Sequence, residues 1–293
     1  MKKINKLFLG ILLLPILAMI GCGGGGGGGS TTVKNFKSWS QVEPDSTYQL
    51  SGLTIEINED GTQNFSDKST LRFAKDSNDQ WTDLRIKTPS SNVSFSTKDK
   101  DSIILDLDSP YVFAQGEKGD KYAIALNPYD LGWNYQTYGL WAVDPINDLG
   151  DAFGFISAGA PTPVNATLPQ GQATYIGSSI GGYYNALGVT YVTKSNLEVT
   201  ADFNDPSWYF VTSQTRSLIE GDDLSFLNMT GNLTYQSKTN RFSGDVFTLS
   251  GLTVRADGRF YGPKAEELGG VFATKDGEEF YGGAFGAKIV PVP

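Results

Sequence analysis

The chain has 293 residues, with 23 basic and 32 acidic side chains, a formal charge of −9 and no histidine. That acidity excludes nucleic-acid binding, which needs a basic face to neutralise phosphates. The missing imidazole excludes Ser-His-Asp and Cys-His catalysis, histidine zinc sites and histidine-ligated haem.

Lys2, Lys3 and Lys6 precede the apolar run Leu7–Ile20, which Gly21-Cys22 closes. The run is too short and too abruptly ended for a spanning helix, so residues 1–21 read as a secretory signal. Met19-Ile20-Gly21-Cys22 fits a bacterial lipobox, in which the cysteine is lipidated and becomes the new N-terminus. Cys22 is the only cysteine, so no intrachain disulfide can form. Acylation there supplies more than the two chains that stable anchoring needs. Residues 22–30 are the lipidated cysteine and a polyglycine tether ending in Ser30, with nothing to bury. No aspartate follows Cys22, which favours sorting to the outer membrane. Without the three signal lysines the formal charge falls to about −12.

Aromatics at 12%, 35 glycines and short turn-bounded runs indicate an all-β chain. In the first body, residues 31–163, Leu53–Ile57, Leu71–Phe73, Leu84–Ile86 and Val93–Phe95 alternate apolar and polar. Asp60-Gly61 turns the chain after the first of these runs. Ile103–Leu107 and Tyr111–Phe113 precede a turn at Gly116–Gly119, with Tyr122–Leu126 on its far side. Trp133–Trp141 concentrates four large aromatics. At strand spacing Trp133 and Tyr135 share one face and Tyr138 takes the other. These rings are either core packing, the favoured reading, or a partner-binding hot spot at Trp133, Tyr135 and Tyr138. Pro161-Thr162-Pro163 and Pro169 then read as an extended linker, because proline cannot sit in a central strand.

In the second body, residues 164–293, Ala173–Gly177 opens a series of short strands. Leu197, Val199, Ala201 and Phe203 alternate with Glu198, Thr200 and Asp202. Leu233–Tyr235 and Phe242–Phe247 follow, and Leu252–Val254 leads to an expected Asp257-Gly258 hairpin turn before Phe260-Tyr261. A short polar helical step is expected at Ala265–Leu268, then a second Asp-Gly hairpin at Asp276-Gly277. Close, regular spacing with one-sided burial predicts an antiparallel barrel. Large residues expected inside (Phe203, Phe247, Phe260, Phe272, Phe285) predict a filled interior.

Carboxylates offer little chemistry. Glu266-Glu267 is expected to be a solvated pair, since sequence neighbours point in different directions. Asp106 with Asp108, and Asp202 with Asn204 and Asp205, are weak cation candidates that lack the spacing and closing glutamate of a calcium loop. No catalytic or metal site is expected, and the chain reads as a binding protein rather than an enzyme.

The run Phe260–Ala273, followed by Tyr281–Lys288, resembles the terminal barrel motif of transferrin-binding-protein-B-like surface lipoproteins. Asn134–Trp141 and Ser157–Pro163 look like the first domain of smaller lipoproteins in the same broad family. The resemblance implies a β "handle" domain over 31–163 and a barrel of about eight strands over 164–293. Such lobes occur twice in transferrin-binding protein B, and the length here matches one. It further implies export by a dedicated lipoprotein translocator to the outer face of the outer membrane. The implied partner is a host iron or haem carrier, such as haemoglobin or transferrin. Recruitment of a host complement regulator, as in factor-H-binding relatives, is the alternative. A third option is direct haem binding through Tyr183 or Tyr184, expected in a glycine-rich loop beside Gly181-Gly182; no other cofactor is implied.

Overall fold

The computed structural model describes residues 32–58, 61–105, 110–128, 131–143, 152–187, 189–275 and 279–290. Cys22 and its signal, Asp60, Asp106, Asp108 and the expected turn at Asp276-Gly277 lie outside the described residues. No α-helix occurs among the described residues; there are short 3-10 turns at Trp39–Gln41, Thr97–Asp99 and Ser225–Leu227.

The first domain is one curved sheet. Its strands are β1 (Val33–Asn35), β2 (Thr47–Asn58), β3 (Gln63–Lys75), β4 (Trp81–Lys87), β5 (Asn92–Ser96), β6 (Ser102–Leu105), β7 (Tyr111–Gln115), β8 (Lys121–Leu126), β9 (Gln136–Val143) and β10 (Ala152–Gly159). The spatial order is β5-β4-β3-β2-β10-β9-β8-β7-β6, with β1 added parallel to the start of β2. The remaining pairs are antiparallel. The edges curl towards each other: Lys121 on β8 donates to the Ser94 carbonyl on β5 and pairs with Asp101 at 2.9 Å. The inside of the curl holds Trp39, Phe73, Phe95, Trp141 and Ile156, with Trp39 stacked 5.1 Å from Phe73.

The second domain is a closed barrel of β11 (Gln172–Tyr184), β12 (Thr190–Asp202), β13 (Ser207–Ser217), β14 (Met229–Gln236), β15 (Arg241–Thr248), β16 (Thr253–Tyr261), β17 (Glu267–Thr274) and β18 (Phe280–Ile289). Closure through the β11–β18 pair removes the sheet edges. The alternation expected on β12 holds: Leu197, Val199 and Ala201 are buried in the barrel core, and Phe203 packs against it half-buried. Phe260, Phe272 and Phe285 also point inside with Trp208, Phe210 and Phe242, so aromatic rings fill the interior.

Four local expectations are corrected. Asp257-Gly258 is not a turn but lies mid-strand in β16, paired to Ser243 and Phe242 on one side and to Val271 and Gly270 on the other. Gly258 is there because the Phe242 ring occupies the space where a Cβ would sit. The turn between β15 and β16 instead uses Gly251, at φ +91°. Ala265–Leu268 forms no helical step: Ala265 has φ +60° and Glu267 already opens β17. Gly181 and Gly182 belong to strand β11, not to a loop. Phe247 points outward and is 51% exposed. The reason is parity. Phe242, Val246 and Thr248 face inward, and a residue five positions after Phe242 must face the opposite way. Phe247→Ser should therefore change unfolding free energy by no more than about 0.5 kcal/mol. Chemical denaturation checks this, and a loss above about 2 kcal/mol would show that the ring packs inside.

Candidate docking surface

The barrel seats on the first domain through β11, β17 and β18. Their outward residues Ile180, Val271, Ala273 and Ala284 meet Leu53, Ile55, Leu140 and Phe155 of the sheet. These barrel strands are consequently buried on both faces where they meet the first domain. Gly286 on β18 lets two aromatics approach: a Cβ there would lie 2.7 Å from the Trp133 ring and 2.8 Å from the Tyr138 ring. Trp133 and Tyr138 are thus on the same side, 6.0 Å apart, contrary to the expected strand parity, because β9 begins only at Gln136. Tyr138 also bonds Ser178 on β11 at 2.5 Å. Tyr135 is half-buried beside Gly262. All three rings serve contact between the domains.

Glu267 is the largest departure from expectation. It is fully buried rather than solvated. One carboxylate oxygen accepts the Asn134 N–H at 2.6 Å and the other accepts the Tyr135 N–H at 3.0 Å. Gln136 then donates its side-chain amide to the Leu268 carbonyl at 2.5 Å and to Ala287 at 3.3 Å. Burial pushes the Glu267 carboxyl up to about 7, although the backbone donors of 134–136 and the Lys288 charge pull the other way. Its neighbour Glu266 accepts the Lys264 N–H at 2.7 Å on the exposed turn. The pair is thus split between structural tasks and cannot share a substrate atom.

The other sequence candidates also resolve into structural roles. Asp202 accepts the Asn204 N–H and Asp205 the Ser207 N–H, each at 2.9 Å, and their carbonyls hold the Trp208 indole N–H. That is a tight turn clamped to a core ring. Among the described residues no group of three or more cysteine, aspartate or glutamate side chains is placed to hold a metal ion. Tyr183 faces the barrel interior against Tyr191, Phe226 and Tyr281, while Tyr184 faces outward at the strand end. Burial and then Glu279 push the Tyr183 phenol up to about 12. A tyrosine must lose that proton to ligate haem iron, so this setting opposes ligation.

One end of the barrel carries the exposed apolar side chains. It is the end at which β11 is followed by β12, β13 by β14, β15 by β16 and β17 by β18. Leu187 is 89% and Leu249 70% exposed, with Ile219 and Phe226 also exposed. These tips are held in place. The Asn185 side chain accepts the Leu187 and Val189 N–H groups at 3.0 and 2.9 Å. Buried Leu224 and Leu227 anchor the long connection, and its Phe226 carbonyl accepts the Ser250 N–H at 2.9 Å. The Phe226 ring lies edge-on to Tyr183 at 5.5 Å. Exposed Glu220, Asp222 and Asp223 sit between Ile219 and Phe226. Apolar tips fixed before binding cost less ordering entropy, and the acids favour a basic partner surface. No strand periodicity marks these residues in the sequence. The one signal is apolar residues inside the turn-rich run Ile219-Glu-Gly-Asp-Asp-Leu-Ser-Phe226, which does not alternate.

Residues 168–289 match the family described as the C-lobe and N-lobe β-barrels of transferrin-binding protein B. In fold, the chain is similar to isotype 1 transferrin-binding protein B from serogroup B Neisseria meningitidis, at 15% identity and a TM-score of 0.55, covering 82% of this chain and 44% of that one. It is likewise similar to the Trp-176-Ala mutant of transferrin-binding protein B from Haemophilus parasuis Hp5, at 16% identity and a TM-score of 0.52, covering 83% and 46%. The chain thus spans less than half the length of these structures. No curated protein sequence matches it. The barrel sequence thus matches the transferrin-binding-protein-B barrel family, and the sheet domain seated on an eight-stranded barrel has the fold of these structures.

Proposed function

We propose that this chain is a lipid-anchored surface protein that captures a host iron-carrier protein of the transferrin class through the barrel rim. The observation that carries this reading is a rim of ordered, exposed apolar tips on a barrel of this family. Chain direction supports it. The chain enters the first domain at β1, beside Thr47–Gln49 at the start of β2. β2 then runs 12 residues, at a rise of about 3.3 Å each, towards rim level. There Phe153, paired with Ile57, packs 5.7 Å from Phe280, and Gln63 bonds the Thr274 carbonyl at 2.7 Å. β1 thus lies at the end of the first domain away from the rim, and in this reading a membrane tether ahead of it leaves the rim free to face outward. Binding without chemistry fits the site, whose ordered groups are apolar tips and acids.

The test is retention of purified iron-loaded transferrin by the immobilised mature protein, alongside haemoglobin and serum. The expected result is saturable retention of transferrin, reduced at least tenfold by Phe226→Asp combined with Leu249→Asp. Failure to retain any iron carrier overturns the proposal. Retention of haemoglobin or a complement regulator instead would replace the transferrin class by that partner.

A further inference from the structure

A second site, apart from the rim, lies in the crease between the barrel wall and the first domain. The outward face of β15 and β16 carries Arg241, Asp245, Arg255, Asp257 and Arg259. Most of these charges are matched. Arg255 pairs with Asp257 at 2.9 Å and with Asp245 at 3.7 Å, and Lys275 pairs with Asp245 at 2.7 Å. Arg241 reaches across the crease to Asp67, on β3 of the first domain, at 2.9 Å. Arg259 joins none of these pairs, and its Nε–H is shielded from solvent with no acceptor. It stands directly opposite Arg241 in the ladder, so two guanidinium groups face the single carboxylate of Asp67. Like charges in that position repel, and a desolvated donor without an acceptor is costly. The charges nearby do not supply the missing acceptor. Lys68, Lys238 and Lys264 are exposed cations, while Glu266 and Glu267 are turned to the backbone N–H groups of Lys264 and of Asn134 and Tyr135.

The first domain brings neutral groups to the same place. Gly269 on β17 stands opposite Arg259, and the space over it holds the Gln136 side-chain oxygen and the Ser157 hydroxyl. Tyr261, two residues after Arg259 on the same face, donates its hydroxyl to the Ser157 carbonyl at 2.9 Å. Burial raises the Tyr261 phenol and the Arg259 and Arg241 charges pull the other way, which sets both guanidinium groups near that hydroxyl. Gln136 spends its amide N–H groups on the Leu268 and Ala287 carbonyls, and its oxygen is buried with no donor. The crease thus holds a cationic donor without an acceptor and, beside it, an acceptor without a donor. A water molecule would answer both but leave the second guanidinium unmatched. An oxyanion that keeps a proton answers all three needs. Its charge faces the two arginines, its oxygens accept from Arg259, and its hydroxyl donates to Gln136. Asp67 takes Nη1 of Arg241 and leaves the rest of that fork for a second oxyanion. The mouth is open to solvent, since the Arg241 side chain is 30% exposed.

We propose that Arg259 and Arg241 of the barrel, with Gln136 of the first domain, bind hydrogen phosphate in the crease between the domains. The experiment is calorimetric titration of the mature chain, in chloride buffer at neutral pH, with inorganic phosphate, sulfate and glycerol phosphate. The expected result is saturable binding of phosphate with Kd of about 1 mM or tighter. Sulfate has the same shape but no proton for Gln136, and should bind about tenfold more weakly. Glycerol phosphate separates two sources: weaker binding points to the free ion, and equal or tighter binding to a phosphate monoester of a lipid or sugar. Arg259→Gln should weaken phosphate about tenfold or more. Without phosphate that variant should unfold at an equal or higher temperature than wild type, because one of two facing charges is gone. Added phosphate should raise the thermal midpoint of wild type and not of the variant. Lys238→Gln removes the same charge from an exposed turn, and Phe226→Asp alters the rim; both should bind phosphate as wild type does. No saturable binding of phosphate, binding that survives Arg259→Gln, or sulfate held as tightly as phosphate would overturn the proposal.

Discussion

Glu267→Ala is expected to destabilise the protein by ~3–5 kcal/mol, through loss of the joint between its domains. The carboxylate is fully buried and accepts the N–H groups of Asn134 and Tyr135 from the other domain. Truncation leaves those donors without a partner in a dry interface, and each such orphan costs ~1–3 kcal/mol. Total stabilities run at only ~5–15 kcal/mol, so the loss is a large fraction. Hydrogen exchange at 134–136 and along β17 reads it directly: both stretches should exchange faster in the variant. Protection that stays at the wild-type level in both would show that water replaces the carboxylate without cost.

The same residue makes a pH prediction with a definite sign. Burial raises the Glu267 carboxyl from 4.5 to about 7 in the folded protein. The native state therefore holds this proton more tightly than the unfolded chain does. Its contribution is full below about pH 4.5 and is lost as pH rises through about 7. At ~1.4 kcal/mol per pH unit, the difference in stability between wild type and Glu267→Gln should shrink by up to ~3 kcal/mol across that window. Denaturant unfolding of both proteins at several pH values checks this, and a difference that grows with pH would reverse the assignment.

Trp208→Ala is the second large effect, expected at ~3–5 kcal/mol. The indole is fully buried in the barrel, stacked 4.7 Å from Tyr235 and within 5.4–5.6 Å of Phe203, Phe260 and Phe242. Its N–H is held by the carbonyls of Asp202 and Asp205 at 3.0 and 3.1 Å. Alanine removes the ring from a closed wall that relaxes little, and it frees the turn that the indole clamps. Trp208→Phe should cost roughly half as much, because the ring volume mostly stays while the N–H bonds go. Equilibrium unfolding followed by tyrosine fluorescence measures both. A cost below ~1 kcal/mol for alanine would mean that the interior is loose enough to hold a ligand and is not filled by its aromatic rings.

Much of the fold was legible because the pleat has a period of two. β12 announces its inward face through Leu197, Val199 and Ala201, and these residues line the core. The tail from Phe260 carried the family likeness. Misreadings fell where period two carries no message. β17 is buried along its whole length, so no alternation marks which side meets the barrel core and which meets the first domain. Asp257-Gly258 has the composition of a turn, yet its glycine answers to the Phe242 ring across the ladder. The exposed apolar rim was not legible for a different reason: loop residues have no period, and their exposure depends on which connections the closed barrel brings to one end.

By itself the amino-acid sequence determined the all-β class, the two bodies joined by a proline-rich segment and the inward residues of the cleanest strand. Each of these follows from local sterics and from the free energy of burying one face of a strand. Tertiary structure alone decided that Glu267 is a buried acceptor between domains, that Trp133 and Tyr138 seat against Gly286, and that Phe247 and Tyr209 stand on an open wall. Those outcomes depend on barrel closure and on which wall the first domain covers. Both are set by pairings between residues more than a hundred positions apart, such as Asn134 with Glu267, which a local pattern does not encode.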